Sequence, residues 1–467
     1  MKKISVKDIV KSTNAKFLFG DNEHVIEKIS IDSREVDKDS LFVAIKGENR
    51  DGHEFVESAY KNGCRTFLIS DEKYSKGLDE ANVILVKNTE IALGDIARFY
   101  RNQFKIPFVG VTGSVGKTTT RDMIYAVVSS KFKTLKNEKN FNNQFGVPMT
   151  LFNLSEEHEC AIIEMGMCGF GEIEYLVNIV EPQMAVISNI GMSHIELLGS
   201  REGILKAKME IASKFDKNNL LIVNNDDDML RKVVHKDIDF GQSRYNIKSF
   251  GKNEDSDIRL LNYKSIGSDK TEFTVSLKGN SENIVFEIPT VGEHNVYNAM
   301  SAILVGLNLG IEIERIRSGL MNFKATKDRQ DIVKMKNFTV INDVYNASPD
   351  SMIASINVMG LFDNRKVVIL GDCLEMGEYA QQGHRRVGES CVDKVDLIIT
   401  TGDAAKYIGC EASNKGFDEA NIHHFETKSE LISSLKSLLQ KDDVILVKAS
   451  RGMKFEDIVN YIEEEIN

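Results

Sequence analysis

"VTGSVGKTTTRD", residues 111–122, is the stretch on which the reading of the whole chain turns. It follows the apolar run IPFVGV (106–111) and opens a helical pattern in which Ile124, Val127 and Val128 face one side. Gly113, Gly116, Lys117 and Thr118 spell GxxGKT at this strand-to-helix turn, and Ser114, Val115 and Thr119 belong to the same loop. Successive backbone N–H groups and a helix N-terminus cradle phosphates there, Lys117 reaches the β and γ groups, and the Thr118 hydroxyl suits Mg²⁺. The strict phosphate-loop pattern has glycine five residues before Gly116, where Val111 stands. A glycine-rich turn with an incidental lysine is the bland alternative, and the strand before and helix after favour a nucleotide.

Outward from this loop, strands and helices alternate. AIIEMG (161–166), MAVISNIG (184–191) and LLIVNND (220–226) are short β-rich runs separated by helical patterns, which predicts a parallel sheet covered on both faces. Between about 245 and 290 the period changes to two, as in TEFTVSLKG and NIVFEIP, predicting an antiparallel insertion. A long helix follows in HNVYNAMSAILVGLNLG, with Val296, Ala299, Met300, Ile303, Leu304 and Leu307 on one face. TVINDV, KVVILGD, DLIITTGD and DVILVKAS then imply a second doubly wound unit. Residues 1 to about 85 form a small α/β unit, joined by the helical NTEIALGDIARFYRNQF. The expected fold class is α/β in three domains, at 1–100, 101–324 and 325–467, which suits a 467-residue chain at about 150 residues per domain.

Composition narrows the function. A formal charge of -11 argues against a nucleic-acid partner, and no run approaches the roughly 18 apolar residues of a membrane span. Lys7, Asp8 and Lys11 interrupt the opening segment, so no export signal is read and a cytoplasmic location is expected. The six cysteines are scattered without CxxC pairs and read as free thiols.

Ligands of open parallel sheets collect beyond the carboxyl ends of the strands. Glu164 ends one such strand and His194 follows the next, so both side chains can converge on the phosphate loop as metal ligands. Taken singly, a strand-end carboxylate such as Glu164 is often a helix cap, and a loop histidine such as His194 is more often a surface residue than a ligand. Lys206 and Lys208, by themselves, read as solvated helix charges.

Together these segments resemble the Mur ligase family of ATP-dependent amide-bond-forming enzymes. The likeness runs through DSREVDKDSLFVAIKGENRDGHEF (32–55), VTGSVGKTTT, NFNNQFGVPMT, EMG, NIGMSHIELLGS, AKMEI, GEHNVYNAMSA, INDVYNASPDSM, GDCLEMG and KASRGMKFED, in family order. It implies that Lys117 contacts the γ-phosphate of ATP and that Thr118 and Glu164 serve one Mg²⁺. It further implies that His194 and Lys208 serve a second, Lys208 as a carbamate, with Lys206 as the fallback. His294, Asn295 and Asn298 match residues facing the nucleotide, Arg329 and Asp343 match residues reaching ATP from the third domain, and Ser33 and Arg34 match a stretch at the UDP end of the substrate. KDRQDIV departs from the family's usual pattern around Arg329, and Asn295 and Asn298 alternatively cap their helix.

Within the family, Tyr345, Asn346 and Ala347, with Leu374 and Glu375, most resemble members that join D-alanyl-D-alanine to a UDP-N-acetylmuramoyl tripeptide through an acyl phosphate in peptidoglycan precursor synthesis. A monomer with small-molecule substrates is expected. The alternatives are another carboxylate–amine ligase of the superfamily, either the third-residue muramyl ligase or a folylpolyglutamate synthetase, and a non-catalytic nucleotide-gated binding protein. The third domain is expected to swing toward the central one on nucleotide binding, because Arg329 and Asp343 lie far along the chain from the phosphate loop.

Overall fold

The computed structural model describes residues 1–47, 50–138, 140–267, 269–326 and 328–466. Its organising element is a nine-stranded sheet. In order across the sheet the strands are Asn283–Ile288, Lys270–Leu277, Ile258–Ile266, Asn246–Gly251, Leu220–Asn224, Met184–Ile187, Phe108–Thr112, Cys160–Glu164 and Thr134–Lys136. Strand Phe108–Thr112 is buried along its whole length. Alternation along a strand sends neighbours to opposite faces, so Phe108 joins one apolar cluster while Val109 and Val111 join another with Ile124 and Val127 of the following helix.

The second of these clusters also takes Val296, Met300 and Ile303 of helix Glu293–Asn308, which lies against helix Lys117–Val128. Filling this seam is worth about 1.5–3 kcal/mol for each fully buried aliphatic side chain.

The region of period two differs from the expectation in one respect. Asn246–Gly251 pairs parallel to Leu220–Asn224, and the antiparallel strands from Ile258 to Ile288 continue the same sheet as its far edge. Their alternating burial leaves Phe273, Val275, Ile284 and Phe286 inside, which is why they extend the core instead of forming a separate layer.

A five-stranded sheet, in the order Lys16–Phe19, Asn82–Leu85, Thr66–Ile69, Ser40–Val43 and Lys28–Ser30, precedes the central one. Helix Thr89–Arg101 ties it down: Tyr100 donates its hydroxyl to the Leu154 carbonyl at 2.7 Å and the Arg101 Nε donates to the Val180 carbonyl at 2.6 Å. The last sheet runs Asp331–Lys334, Thr339–Asn342, Val444–Lys448, Lys366–Leu370, Leu397–Thr401 and Ile422–Phe425. It is parallel except for its first strand, an antiparallel edge that the sequence did not announce.

Candidate active site

The loop between strand Phe108–Thr112 and helix Lys117–Val128 is shaped by two glycines. Gly113 passes so close to the next strand's exit that a Cβ would lie 1.9 Å from the Ser188 Oγ, and Gly116 enters the helix at a φ of 79°. The loop is then fastened by its neighbour. The Ser114 N–H donates to the Asn189 carbonyl at 3.0 Å, the Val115 N–H to the Asn189 Oδ1 at 2.9 Å, and the Ser188 hydroxyl to the Val115 carbonyl at 2.7 Å. Lys117 folds back so that its ammonium donates to the Gly113 carbonyl at 2.9 Å.

Glu164 stands at the end of the adjacent strand, fully buried. Its carboxylate accepts from the Thr118 hydroxyl at 2.9 Å, from the Asn142 Nδ2 at 2.7 Å and from Arg121 at 3.2 Å. Asn137 holds the same residue by its main chain, with bonds of 2.9 Å to both N–H and carbonyl. A hydroxyl and a carboxylate converging beside a phosphate loop suit Mg²⁺, which takes one or two protein ligands and fills its remaining positions with phosphate oxygens and water. Among the described residues no group of three or more His, Cys, Asp or Glu gathers as a metal cage.

These elements open into a cavity of about 1060 Å³ between the central and third domains. Ser114, Val115, Gly116, Lys117, Thr119, Glu164 and His194 line it on the central side, and Arg329 and Asp343 on the other. His294, Asn295 and Asn298 line the part near the start of their helix. His294 Nε2 lies 2.8 Å from the Gln330 Oε1, while Asn298 accepts from the Thr120 hydroxyl at 2.9 Å. Asn295 donates its amide back to the Val291 carbonyl at 2.8 Å; the helix starts after Gly292 without a side-chain cap, so neither Asn295 nor Asn298 is its N-cap, and both line the cavity. The Arg329 guanidinium stacks 3.9 Å from the centre of the Tyr345 ring. Asp343 is held by the Lys448 ammonium and the Ser355 hydroxyl, each at 2.7 Å.

Burial pulls the Lys117 ammonium below its ordinary range, the Glu164 charge opposing and the Arg329 charge reinforcing the shift. Lys208, 1% exposed, is displaced much further down, first by burial and then by the charge of Lys117. Among the described residues no carboxylate lies within ion-pair distance of it. Lys206 points elsewhere, its ammonium 5.8 Å from the centre of the Phe170 ring. His194, at a φ of 63°, has its Nδ1 2.6 Å from the Glu375 Oε2 of the third domain, close enough to pair though not aligned as a hydrogen bond. The His194 ring in turn holds the Glu375 carboxyl below the usual range.

Ser33 and Arg34 are not part of this cavity. Ser33 is buried in the first domain, where its carbonyl accepts from Asn62 at 2.9 Å, and Arg34 pairs with Asp32 at 2.6 Å on an exposed turn. Sequence reasoning had not singled out Asn142, Asn137, Arg121, Asn189, Gln330 or Lys448 as site residues. The asparagine-rich segment NEKNFNNQ was the visible signal for the first two.

Comparison with known proteins supplies the lineage. Family models match residues 25–101 (Mur ligase family, catalytic domain), 111–306 (Mur ligase middle domain) and 328–451 (Mur ligase, glutamate ligase domain). The UDP-N-acetylmuramoyl-tripeptide–D-alanyl-D-alanine ligase of Bacillus subtilis is 38% identical over 464 residues, covering 98% of each chain. The ligase of the same name from Escherichia coli is 32% identical and covers 94% of each. Among solved structures, MurF from Acinetobacter baumannii superposes with a TM-score of 0.88 at 29% identity over the whole of both chains. The MurF ligase from Thermotoga maritima in complex with ADP gives 0.82 at 27%, over 94% of this chain and 97% of that one. With a phosphate loop facing a third-domain wall across one cavity, and these likenesses running from end to end, the chain belongs to the Mur ligase family.

Proposed function

We infer that this chain is an ATP-dependent ligase that adds D-alanyl-D-alanine to a UDP-N-acetylmuramoyl tripeptide in peptidoglycan synthesis, the activity its relatives' names carry. The end-to-end similarity to ligases of that one name is the observation that carries it. A carboxylate is a poor electrophile because its leaving group would be oxide. Transfer of the γ-phosphoryl group from ATP to the terminal carboxylate of the tripeptide releases ADP and leaves an acyl phosphate. The amine of the dipeptide then attacks the carbonyl carbon, the tetrahedral intermediate expels inorganic phosphate, the ammonium proton leaves to solvent, and an amide remains.

In this reading Lys117 exchanges the Gly113 carbonyl for the β- and γ-phosphates of ATP and neutralises charge as the carboxylate approaches. Gly113 to Thr119 supply the loop, and His294, Asn295, Asn298, Arg329 and Asp343 position the nucleotide from the two sides of the cavity. Thr118 and Glu164 would hold one Mg²⁺, and His194 with a carbamylated Lys208 a second. When bound, the ions would offset the negative charge of the phosphates. A buried amine with its proton affinity lowered is nucleophilic toward carbon dioxide, which supports the carbamate. Ser33 and Arg34 serve the UDP end on the first domain, giving 1–100, 101–324 and 325–467 as platforms for the sugar nucleotide, ATP and the incoming amine. Both cavity walls come from one chain, which supports a monomer, and dependence on ATP supports a cytoplasmic reaction.

An ADP-release assay with the UDP-N-acetylmuramoyl tripeptide tests the assignment. Release that requires D-alanyl-D-alanine is expected, with oxygen-18 from the tripeptide carboxylate appearing in phosphate. Release driven instead by a free diamino acid or by glutamate, or phosphate without label, overturns it.

A further inference from the structure

The segment that fastens the phosphate loop is itself held from two directions. Residues 188–194 leave strand Met184–Ile187 and run past the loop, with Asn189 and Ser188 bonded to the main chain of Ser114 and Val115. The Ser193 hydroxyl adds a longer contact of 3.3 Å to the Ser114 carbonyl. Among the described residues the central domain holds this segment by side chains chiefly at Ile190, whose N–H donates to the Asp227 Oδ2 at 2.8 Å and whose carbonyl accepts from Arg201 at 2.8 Å. Two residues on, the Met192 N–H donates at 2.9 Å to the Oδ2 of Asp350, which belongs to the third domain.

Asp350 is built for that contact. It lies in the first turn of helix Pro349–Met359, whose start is fixed by a reciprocal Ser348–Ser351 capping box. Its other oxygen pairs with Arg386 at 3.1 Å, and Arg386 also approaches the Met192 sulfur at 3.0 Å. The seat has no spare room: a Cβ on Gly191 would lie 2.3 Å from the Asp350 Oδ2. At the end of the same segment, His194 meets Glu375 of the third domain.

We propose that Asp350, braced by Arg386, is the positioning residue through which the docked third domain sets the shape of the phosphate loop, acting through Met192 and Asn189. The third domain thus contributes to nucleotide affinity through a residue that does not line the nucleotide cavity. By reciprocity, a nucleotide seated in the loop favours docking by the same factor. The proposal rests on the reading of the cavity as an ATP site, and ADP binding by the unaltered protein checks that reading separately.

The experiment uses the full chain, with ADP as the probe and amide hydrogen exchange as a second readout. Asp350→Ala is expected to weaken ADP binding by about tenfold, within the range of ordinary couplings, and to speed exchange at Ser114 and Val115 in the nucleotide-free protein. Asp350→Asn keeps an oxygen for the Met192 N–H and is expected to recover ADP affinity to within about threefold of the unaltered protein. Gly191→Ala attacks the same contact from the other side and stands in should Asp350→Ala fold poorly. The Gly191→Ala, Asp350→Ala double variant is expected to bind ADP no more weakly than the worse single one, because both remove one interaction. Faster exchange at Met192 with unchanged exchange at Ser114 and Val115 would overturn the proposal. So would unchanged ADP affinity in Asp350→Ala and Gly191→Ala, an Asp350→Asn protein as weak as Asp350→Ala, or additive losses in the double variant.

Discussion

Beneath the phosphate loop, Glu164, Arg121, Asp122 and Lys136 form a chain of ion pairs at 2.7–3.2 Å, closed by the Thr326 hydroxyl on Asp122 at 2.6 Å. Lys208 is buried as deeply as Glu164 and Arg121, yet among the described residues no carboxylate pairs with it. The first arrangement has its charges compensated before any ligand arrives. The second is an amine whose charged form is disfavoured by burial and then by the charge of Lys117, which favours the neutral group or a derivative of it. The contrast is one of compensation: the paired charges, Glu164 among them, hold the loop's helix in place, whereas the Lys208 amine has no carboxylate to offset it among the described residues.

Removing the lysines of the proposed chemistry should have the largest effect. Lys117→Ala is expected to cut ADP release by about a thousandfold, the scale of losing a principal charge-stabilising donor, with thermal stability little changed. Lys208→Met should lower turnover by roughly a hundredfold while raising the melting temperature, because a buried polar amine without a carboxylate partner is replaced by an apolar side chain of similar length. Carbon-13 bicarbonate should label the unaltered protein at this position and leave Lys208→Met unlabelled by NMR.

The compensated side should respond through stability. Asp122→Asn leaves Arg121 and Lys136 without their shared carboxylate and is expected to cost about 3 kcal/mol in denaturant unfolding. Burial tends to raise the Asp122 carboxyl, but the Arg121 and Lys136 charges outweigh it and hold it below its ordinary value of 3.8. The folded state therefore releases that proton more readily than the unfolded chain. Its contribution is complete above the unfolded value and lost as the pH falls through the lowered folded one, so Asp122→Asn should flatten this part of the acid limb. The smallest effect is expected at Arg34, exposed and outside the comparison altogether: Arg34→Ala should raise the KM for the UDP-linked tripeptide severalfold and leave ADP affinity and melting temperature unchanged.

The compensated and uncompensated sides also differed in how much of them the sequence carried. Lys117, Thr118 and Glu164 were legible because a phosphate loop and a strand end are local features, fixed by spacing within one βα unit. Lys208 could not be told from a solvated helix lysine by periodicity, and only the family resemblance distinguished it. Asn142, Asn189 and Asp350 were missed for a related reason. Their partners sit 22, 74 and 158 residues away, and nothing in an isolated asparagine or aspartate announces such a partner. The central sheet was foreseen from its β-rich runs, but the way its antiparallel strands continue the parallel ones depends on edge pairing between residues that share no local pattern.

One small contact has a kinetic corollary. Because the Lys117 ammonium rests on the Gly113 carbonyl, the loop is already folded around a cation of its own, and an arriving triphosphate swaps partners inside a finished cradle. Entry then resembles substitution more than assembly, and because the chain carries a formal charge of -11 while the triphosphate is itself an anion, added salt should speed capture by screening their repulsion.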